Sequence, residues 1–281
     1  MPAYGGLYFP HGGMLDPASL CRAQLAYAQS NTSLTPCFAC SVAKLERSGG
    51  LWHAIDQRGS LIASAPIAIV ANAAGASTLA SLDYAPTRSI RGQLTWLEPA
   101  PAPALRYPLI GDGYVLPIDT HHSDARQLTG ASYELDDADA QLRVSSQLDN
   151  LERLGRLLPD TAASLHPDSS NWPLSGRVAF RCVTSDRMPM IGPLADESSA
   201  REQATRLSGA WPLDLPRMEG LYGAFAYGSR GLIWAALGAE MVASQILGEP
   251  LPVTRSIADG LDPARFLLRA LRQREVGRKP V

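Results

Sequence analysis

The sequence predicts an α/β protein that carries an antiparallel α+β insert, and three features point there. Pro66 to Ala71 and Leu221 to Tyr227 are short, continuous apolar runs of the kind expected of buried strands, and each ends in a turn of small residues. Leu232 to Leu247 follows the second run as an almost uncharged helical stretch. Between them, from about Tyr84, the composition shifts to short strand candidates separated by proline-rich and polar loops.

Taken in order, Gly5 to Gly13 reads as loop and short strand. Asp16-Pro17 is a strong helix start, with aspartate as N-cap and proline at the first helical position. Leu20, Ala23, Gln24, Tyr27 and Ala28 share one face, which predicts a helix from Ala18 to about Ser30 packed on an apolar surface. Phe38 to Leu45 and Leu51 to Ile55 flank Ser48-Gly49-Gly50, the pattern of a hairpin. The strand Pro66 to Ala71 is expected to be buried on both faces. It runs into Asn72-Ala-Ala-Gly-Ala76, and ligands of open α/β sheets sit beyond the carboxyl ends of such strands. Gln93 to Leu97, Tyr114 to Ile118 and Gln127 to Ser132 are strand candidates of the inserted sheet, and Asp136 to Leu158 is expected to be helical with a break near Gly155.

Val178 to Val183 reads as a strand whose alternation sets Arg181 beside Ala179 on one face. A strand arginine cannot shed its charge and calls for an anionic partner, either a ligand or a structural carboxylate. Leu221 to Tyr227 breaks at Gly228-Ser229-Arg230-Gly231 before the helical run, which Gly248 and Pro250 should stop. The free amides and positive dipole end of that helix suit an electron-rich group, although a ligand-free strand-turn-helix has the same pattern.

With 281 residues, 46% hydrophobic and 19% charged, the chain is expected to be globular. A net charge of −2 gives no overall basic field for nucleic acid. The basic residues gather in the tail, Arg265 to Lys279, which reads as a solvated terminal helix or as a nucleic-acid contact surface. Cys21, Cys37, Cys40 and Cys182 show no secreted disulfide framework and suit a reducing cytoplasm. Cys37 and Cys40 have CxxC spacing without a second pair, and Asp119, His121, His122 and Asp124 read as a solvated loop, so no metal is expected. The start lacks the basic and apolar regions of a leader. Leu232 to Leu247 is shorter than the about 20 residues of a membrane span and contains Glu240, so it is expected to be a buried helix instead.

Four stretches together resemble the FAD-dependent amine and amino-acid oxidoreductases of the D-amino-acid oxidase and glycine oxidase superfamily: Gly12 to Leu20, Val70 to Gly75, Arg181 to Gly192 and Gly228 to Leu232. Gly5 to Gly13, Leu128 to Tyr133, Arg187 to Gly192, Ala226 to Leu232 and Leu261 to Arg265 resemble one branch in particular. That branch is the C-terminal oxidoreductase domain of bifunctional tRNA 5-methylaminomethyl-2-thiouridine biosynthesis proteins. The superfamily opens its cofactor domain with a strand-GxGxxG-helix unit that holds the FAD pyrophosphate. No GxGxxG occurs in this sequence, so it is expected to be an N-terminally truncated piece lacking that βαβ unit.

The resemblance implies a glycine oxidase type of fold. Residues 1–83 would form a partial FAD-binding domain, 84–175 an antiparallel-sheet substrate domain, and 176–281 the return to the FAD-binding domain. The implied reaction oxidises the carboxymethylaminomethyl group on a wobble 2-thiouridine of tRNA, leaving aminomethyl and releasing glyoxylate. The flavin does the chemistry, so no catalytic side chain is expected. Arg181 is the implied clamp for the substrate carboxylate, with Tyr133 lining the same cavity. Val42, Ala73, Ala74, Gly75, Tyr227, Gly228, Ser229, Arg230, Gly231, Leu232 and Ile233 are the implied cofactor contacts. The implied partners are tRNA and a methyltransferase domain, with no membrane. The alternatives are an oxidase of free glycine or sarcosine and an inactive fragment unable to retain FAD alone. A hydrolase lacks support, since no GxSxG elbow is present.

Overall fold

A computed structural model describes residues 5–97, 105–117, 127–159, 175–207 and 209–276. The chain opens with helix α1 (Pro17–Asn31), strands β1 (Lys44–Ser48), β2 (Leu51–Ile55), β3 (Leu61–Ala65) and β4 (Ala68–Val70), and helix α2 (Gly75–Leu79). Strands β5 (Thr87–Leu97), β6 (Leu109–Ile110), β7 (Tyr114–Val115), β8 (Gln127–Gly130) and β9 (Glu134–Leu135) lead to helix α3 (Val144–Leu157). Strands β10 (Gly176–Thr184) and β11 (Met190–Ala195), helix α4 (Glu197–Glu202) and strand β12 (Arg217–Phe225) follow. Helices α5 (Gly231–Leu247), α6 (Arg255–Leu261) and α7 (Arg265–Val276) come last.

These elements divide into two compact units. One contains Met1–Thr35, Arg91–Glu134 and Ala138–Ala179; the other contains Pro36–Ile90, Leu135–Asp137 and Phe180–Val281.

The first unit is built on the sheet β10-β5-β8-β7-β6, with β9 also paired to β5. Strand β8 runs antiparallel to β5 and β7, as the inserted sheet was expected to be. A fully buried guanidinium organises one side of it. Arg91 donates to the Asp139 and Gln141 carbonyls at 2.7 and 2.6 Å, to Gln93 Oε1 at 3.0 Å and to Ser146 Oγ at 3.2 Å, and it faces Glu134 at 3.4 Å. This corrects the helix expected from Asp136. Residues 136–143 stay irregular because the buried arginine takes carbonyls that a helix would use internally. Helix α3 starts only at Val144 and runs through Gly155 without a break.

Helix α1 forms where Asp16 and Pro17 predict it, with the Asp16 carboxylate accepting from the Ser19 amide at 2.6 Å. Its expected packing is not observed: none of its residues is buried, and Tyr27 is 73% exposed.

In the second unit, β1, β2 and β3 form an antiparallel meander. Ser48 pairs with Leu51, and Gly49 and Gly50 both take positive φ, so the turn closes in two residues. The first strand begins at Lys44, later than the sequence pattern indicates, and β3 was not anticipated. A second sheet has the order β11-β12-β4, with β12 antiparallel to β11 and parallel to β4. Strand β4 ends that order, so its outer edge is unpaired among the described residues. This corrects the double burial expected of β4: Val70 is buried while Ile69 is 50% exposed. The main core lies under this sheet, with Val70, Met190, Leu194, Leu221, Phe225, Leu267 and Leu271 packed together.

Helix α5 spans the expected residues and ends at Gly248, which takes the left-handed conformation of a C-terminal cap. It is not the buried helix expected. Gly238, Met241, Val242 and Ser244 pack inward, while Leu232, Ile233 and Leu247 are exposed. No described helix is long and apolar enough to cross a membrane. Residues 119–124 lie outside the described residues, and no cluster that could hold a metal occurs among the described ones.

The join of β12 to β4 depends on Gly220, which has φ of 70° and whose missing Cβ would lie 2.3 Å from the Pro66 carbonyl oxygen. Next to it, Trp52 Nε1 donates to the Glu219 carbonyl at 2.9 Å. Gly220→Ala should therefore destabilise the protein by roughly 2–4 kcal/mol, combining left-handed strain with a backbone clash. Urea denaturation checks this, with Gly260→Ala, where a Cβ meets nothing within 4 Å, as the control.

Candidate functional site

The parallel ladder between β4 and β12 pairs Ala68 with Leu221, Ile69 with Tyr222 and Gly223 with Val70. Parallel strands leave their sheet at the same end, so the turns after Val70 and Phe225 emerge side by side. Both turns hold an alanine in the left-handed region, Ala73 at φ 53° and Ala226 at φ 62°. Such backbone costs about 1–3 kcal/mol at a non-glycine residue and clusters where binding requires it. Ala73 to Gly75 form the exposed turn that starts α2, with the Ala76 amide donating to the Ala73 carbonyl at 3.1 Å.

The second turn is held from below. Gly228 has φ of 59°, and its amide donates to the Cys182 carbonyl at 2.9 Å. A Cβ there would lie 3.0 Å from Val183 Cγ1, so the end of β10 and the turn pack directly. Arg230 Nη2 donates to the Arg187 carbonyl at 2.9 Å, tying the start of α5 to the loop after β10. Tyr227 lays its hydroxyl against α5 at Gly238, whose missing Cβ would lie 2.3 Å from Tyr227 Oη. Burial raises the pKa of this hydroxyl, which stays protonated at neutral pH.

Arg181 precedes Cys182 on β10, the residue whose carbonyl accepts from the Gly228 amide. Arg181 is half-buried, whereas Cys182 and Thr184 point into the core. Val42 is exposed on the segment entering β1. Tyr133 belongs to the other compact unit, follows β8, and is 52% exposed. Ser229 and Arg230 are exposed at the turn, and Leu232 and Ile233 are exposed on the first turn of α5, the latter at 78%.

The geometry fits the ring end of a flat cofactor. Gly231, the first residue of α5, has only Tyr227 Cβ near its missing side chain, at 3.8 Å, so space stands open over the backbone. The uncharged helix start offers amides and a positive dipole end to an electron-rich ring. For the pyrophosphate of a dinucleotide the sequence contains no GxGxxG turn.

Sequence reasoning missed the group that anchors the loop after β10. Asp186 accepts from Thr184 Oγ1 at 2.8 Å, from the Met188 amide at 3.1 Å, and from Arg265 Nη2 and Nε at 3.0 and 2.9 Å. Burial pushes this carboxyl up, but the hydrogen bonds from Arg265, Thr184 and Met188 outweigh it and hold it down at about 2. In the sequence Arg265 reads as the start of a basic tail, and its separation of 79 positions from Asp186 leaves no local signal of the pair. A second such pair joins Arg217 to the buried Asp262 at 2.8–2.9 Å and ties β12 to the connection between α6 and α7.

Two parallel strands feeding small-residue turns, with a helix start at one of them, place those turns together at one edge of the sheet. The chain belongs to the FAD dependent oxidoreductase family, which it matches over residues 2–245. It is 60% identical over 272 residues to the tRNA 5-methylaminomethyl-2-thiouridine biosynthesis bifunctional protein MnmC of Paraburkholderia phytofirmans, covering 96% of this chain and 40% of that protein. The chain thus spans about two-fifths of the length of the curated relatives it matches. Among solved structures it resembles glycine oxidase from Geobacillus kaustophilus, with 18% identity and a TM-score of 0.63 over 85% of this chain and 56% of that one. It also resembles L-proline dehydrogenase from P. horikoshii, with 18% identity and a TM-score of 0.65 over 90% of this chain and 60% of that one. At these identities the two structures support the fold alone.

Gly238→Ala should force Tyr227 off the helix and cost roughly 1–3 kcal/mol, the usual range for overpacking, measured by thermal or urea unfolding. Asp186 predicts a pH effect of definite sign. Its folded pKa of about 2 lies below the unfolded value of about 3.9, so its stabilisation is present above about pH 4 and is lost as the pH falls toward 2. Unfolding midpoints between those limits should fall more steeply for the native protein than for Asp186→Asn.

Proposed function

We propose that the chain forms the ring-side and substrate-side part of an FAD-dependent oxidoreductase acting on tRNA. The reaction is oxidation of the carboxymethylaminomethyl group on a wobble 2-thiouridine, giving the aminomethyl group and glyoxylate. The observation that carries this reading is the bond from the Gly228 amide to the Cys182 carbonyl. It joins the strand of Arg181 to the turn suited to the flavin ring. The likeness to the MnmC proteins supplies the substrate class.

In this reading the unit with β4, β12 and α5 is the FAD-binding part, residues 84–175 supply the substrate domain, and the protein works in the cytoplasm. Tyr227 to Ile233, Ala73 to Gly75 and Val42 hold the cofactor, which when bound supplies two-electron oxidation of a carbon–nitrogen bond. Arg181 offers a planar, permanently charged fork to the substrate carboxylate. The hydrogen-bonded backbone of the Gly228 turn fixes the distance between clamp and ring before substrate arrives, which lowers the ordering cost at the reacting carbon. The unpaired edge of β4 accepts the strand of a GxGxxG unit that carries the pyrophosphate, so this chain alone retains FAD poorly. The bifunctional relatives suggest a methyltransferase domain as partner. An oxidase of free glycine or sarcosine is the competing activity within the same fold.

The test joins the chain to a strand-GxGxxG-helix unit, loads it with FAD and follows loss of the visible flavin band without oxygen. Bleaching by tRNA bearing the carboxymethylaminomethyl group, with glyoxylate released, is expected; bleaching by free glycine alone would favour the competing oxidase. In that enzyme Arg181→Lys should raise KM by about 2–3 kcal/mol in binding while leaving FAD affinity unchanged. Unchanged kinetics would remove Arg181 from the site.

A further inference from the structure

A cavity of about 840 Å³ lies in the second unit, between the loop after β10, the segment around Trp211 and the face of α7. None of its lining residues belongs to the proposed flavin set. Most of its charged groups are already committed. Arg265 spends its guanidinium on Asp186, the Met188 carbonyl and the Leu261 and Asp262 carbonyls. Asp259 is the exception among the acids: it is buried, faces Arg255 at 3.5 Å, and neither of its carboxylate oxygens has a hydrogen-bond partner among the described residues. Arg272 donates to the Ala210 carbonyl at 2.6 Å.

Arg269 is different. It is exposed on the cavity wall, rests 5.3 Å over the Phe266 ring, and makes no hydrogen bond or ion pair among the described residues. Trp211 faces the same cavity and is 61% exposed. Its backbone is nevertheless fixed, because its amide donates to Asp214 Oδ2 at 2.8 Å and its carbonyl accepts from the Asp214 amide at 2.9 Å. A large aromatic ring held out on a rigid turn loses little freedom when something stacks on it. An arginine without a counter-charge beside it attracts an anion, and its plane matches phosphate. A flat ring joined to a phosphate is a nucleotide.

We propose that this cavity is a contact site for single-stranded RNA, with a base stacked on Trp211 and its phosphate at Arg269. Stacking of this kind tolerates any base, because every base has a π face. The inference rests on the reading of the protein as a tRNA enzyme, and it gives a role to Arg269, which packing leaves outside the core.

The test measures binding of decauridylate to this chain by fluorescence anisotropy over a range of salt. Trp211→Ala should weaken binding roughly 5- to 100-fold, the range of one base–aromatic stack, while Trp211→Phe keeps most of it. Arg269→Gln should reduce the slope of log affinity against log salt by about 0.7, the value for one single-strand phosphate contact. Circular dichroism melting of each variant separates lost binding from lost folding. Unchanged affinity in folded Trp211→Ala overturns the proposal. So does uridine monophosphate binding as tightly as decauridylate, which would make the cavity a mononucleotide site. Equal binding of inorganic polyphosphate and decauridylate, indifferent to Trp211, overturns it as well. Flavin bleaching by tRNA with a KM untouched by Trp211→Ala would sink the cavity site and spare the oxidase. RNA binding through Trp211 without flavin bleaching would do the reverse.

Discussion

The flavin site proposed for this protein depends on one short parallel ladder, Ala68 to Val70 beside Leu221 to Gly223. Parallel pairing is a directional constraint, since it obliges both strands to deliver their following turns to one edge of the sheet. Had β4 run the other way, the Ala73 turn and the Gly228 turn would leave at opposite ends. The ladder is short, so its position is fixed by contacts at its margin: the close approach of Gly220 to the Pro66 carbonyl and the bond from Trp52 to Glu219.

Around this edge, long-range polar contacts do what local sequence cannot. Asp186 and Arg265 hold the loop after β10 against α7, Arg230 holds the same loop from the other direction through Arg187, and Gly228 is fixed to Cys182. The consequence is a turn with a defined shape and an open face. Apolar side chains that would ordinarily be covered, Ile69, Leu232 and Ile233, stand exposed there. Covering them by a bound cofactor, as proposed, would remove apolar area from water.

Much of this was legible in the sequence, for identifiable reasons. The Gly231–Leu247 helix declares itself by its apolar run and its glycine cap, and the Gly49-Gly50 hairpin by its turn chemistry. The antiparallel insert declares itself by short alternating strands. What stayed hidden was non-local. The buried Arg91 network pulls residues 136–143 out of a helix they would otherwise suit, and nothing within those residues announces an arginine from β5. Exposure was misjudged for α1, β4 and one face of α5 because apolar pattern reports what a segment would bury, not what is present to bury it. Val42 and Tyr133 stand out only through family resemblance, whereas Arg181 is also marked by its place on a strand, beside the Cys182 carbonyl that accepts from Gly228.

The most direct measurement of the central claim uses Gly231. Its missing Cβ would meet only Tyr227 Cβ at 3.8 Å, so Gly231→Ala fits the protein itself and should leave stability unchanged or slightly raised. If a flavin ring lies against that backbone, the added methyl occupies ligand space. FAD titration of the chain joined to a GxGxxG unit should then show affinity reduced at least tenfold in the variant, with its unfolding midpoint intact. Equal FAD affinity in the two proteins would contradict a flavin site at this turn.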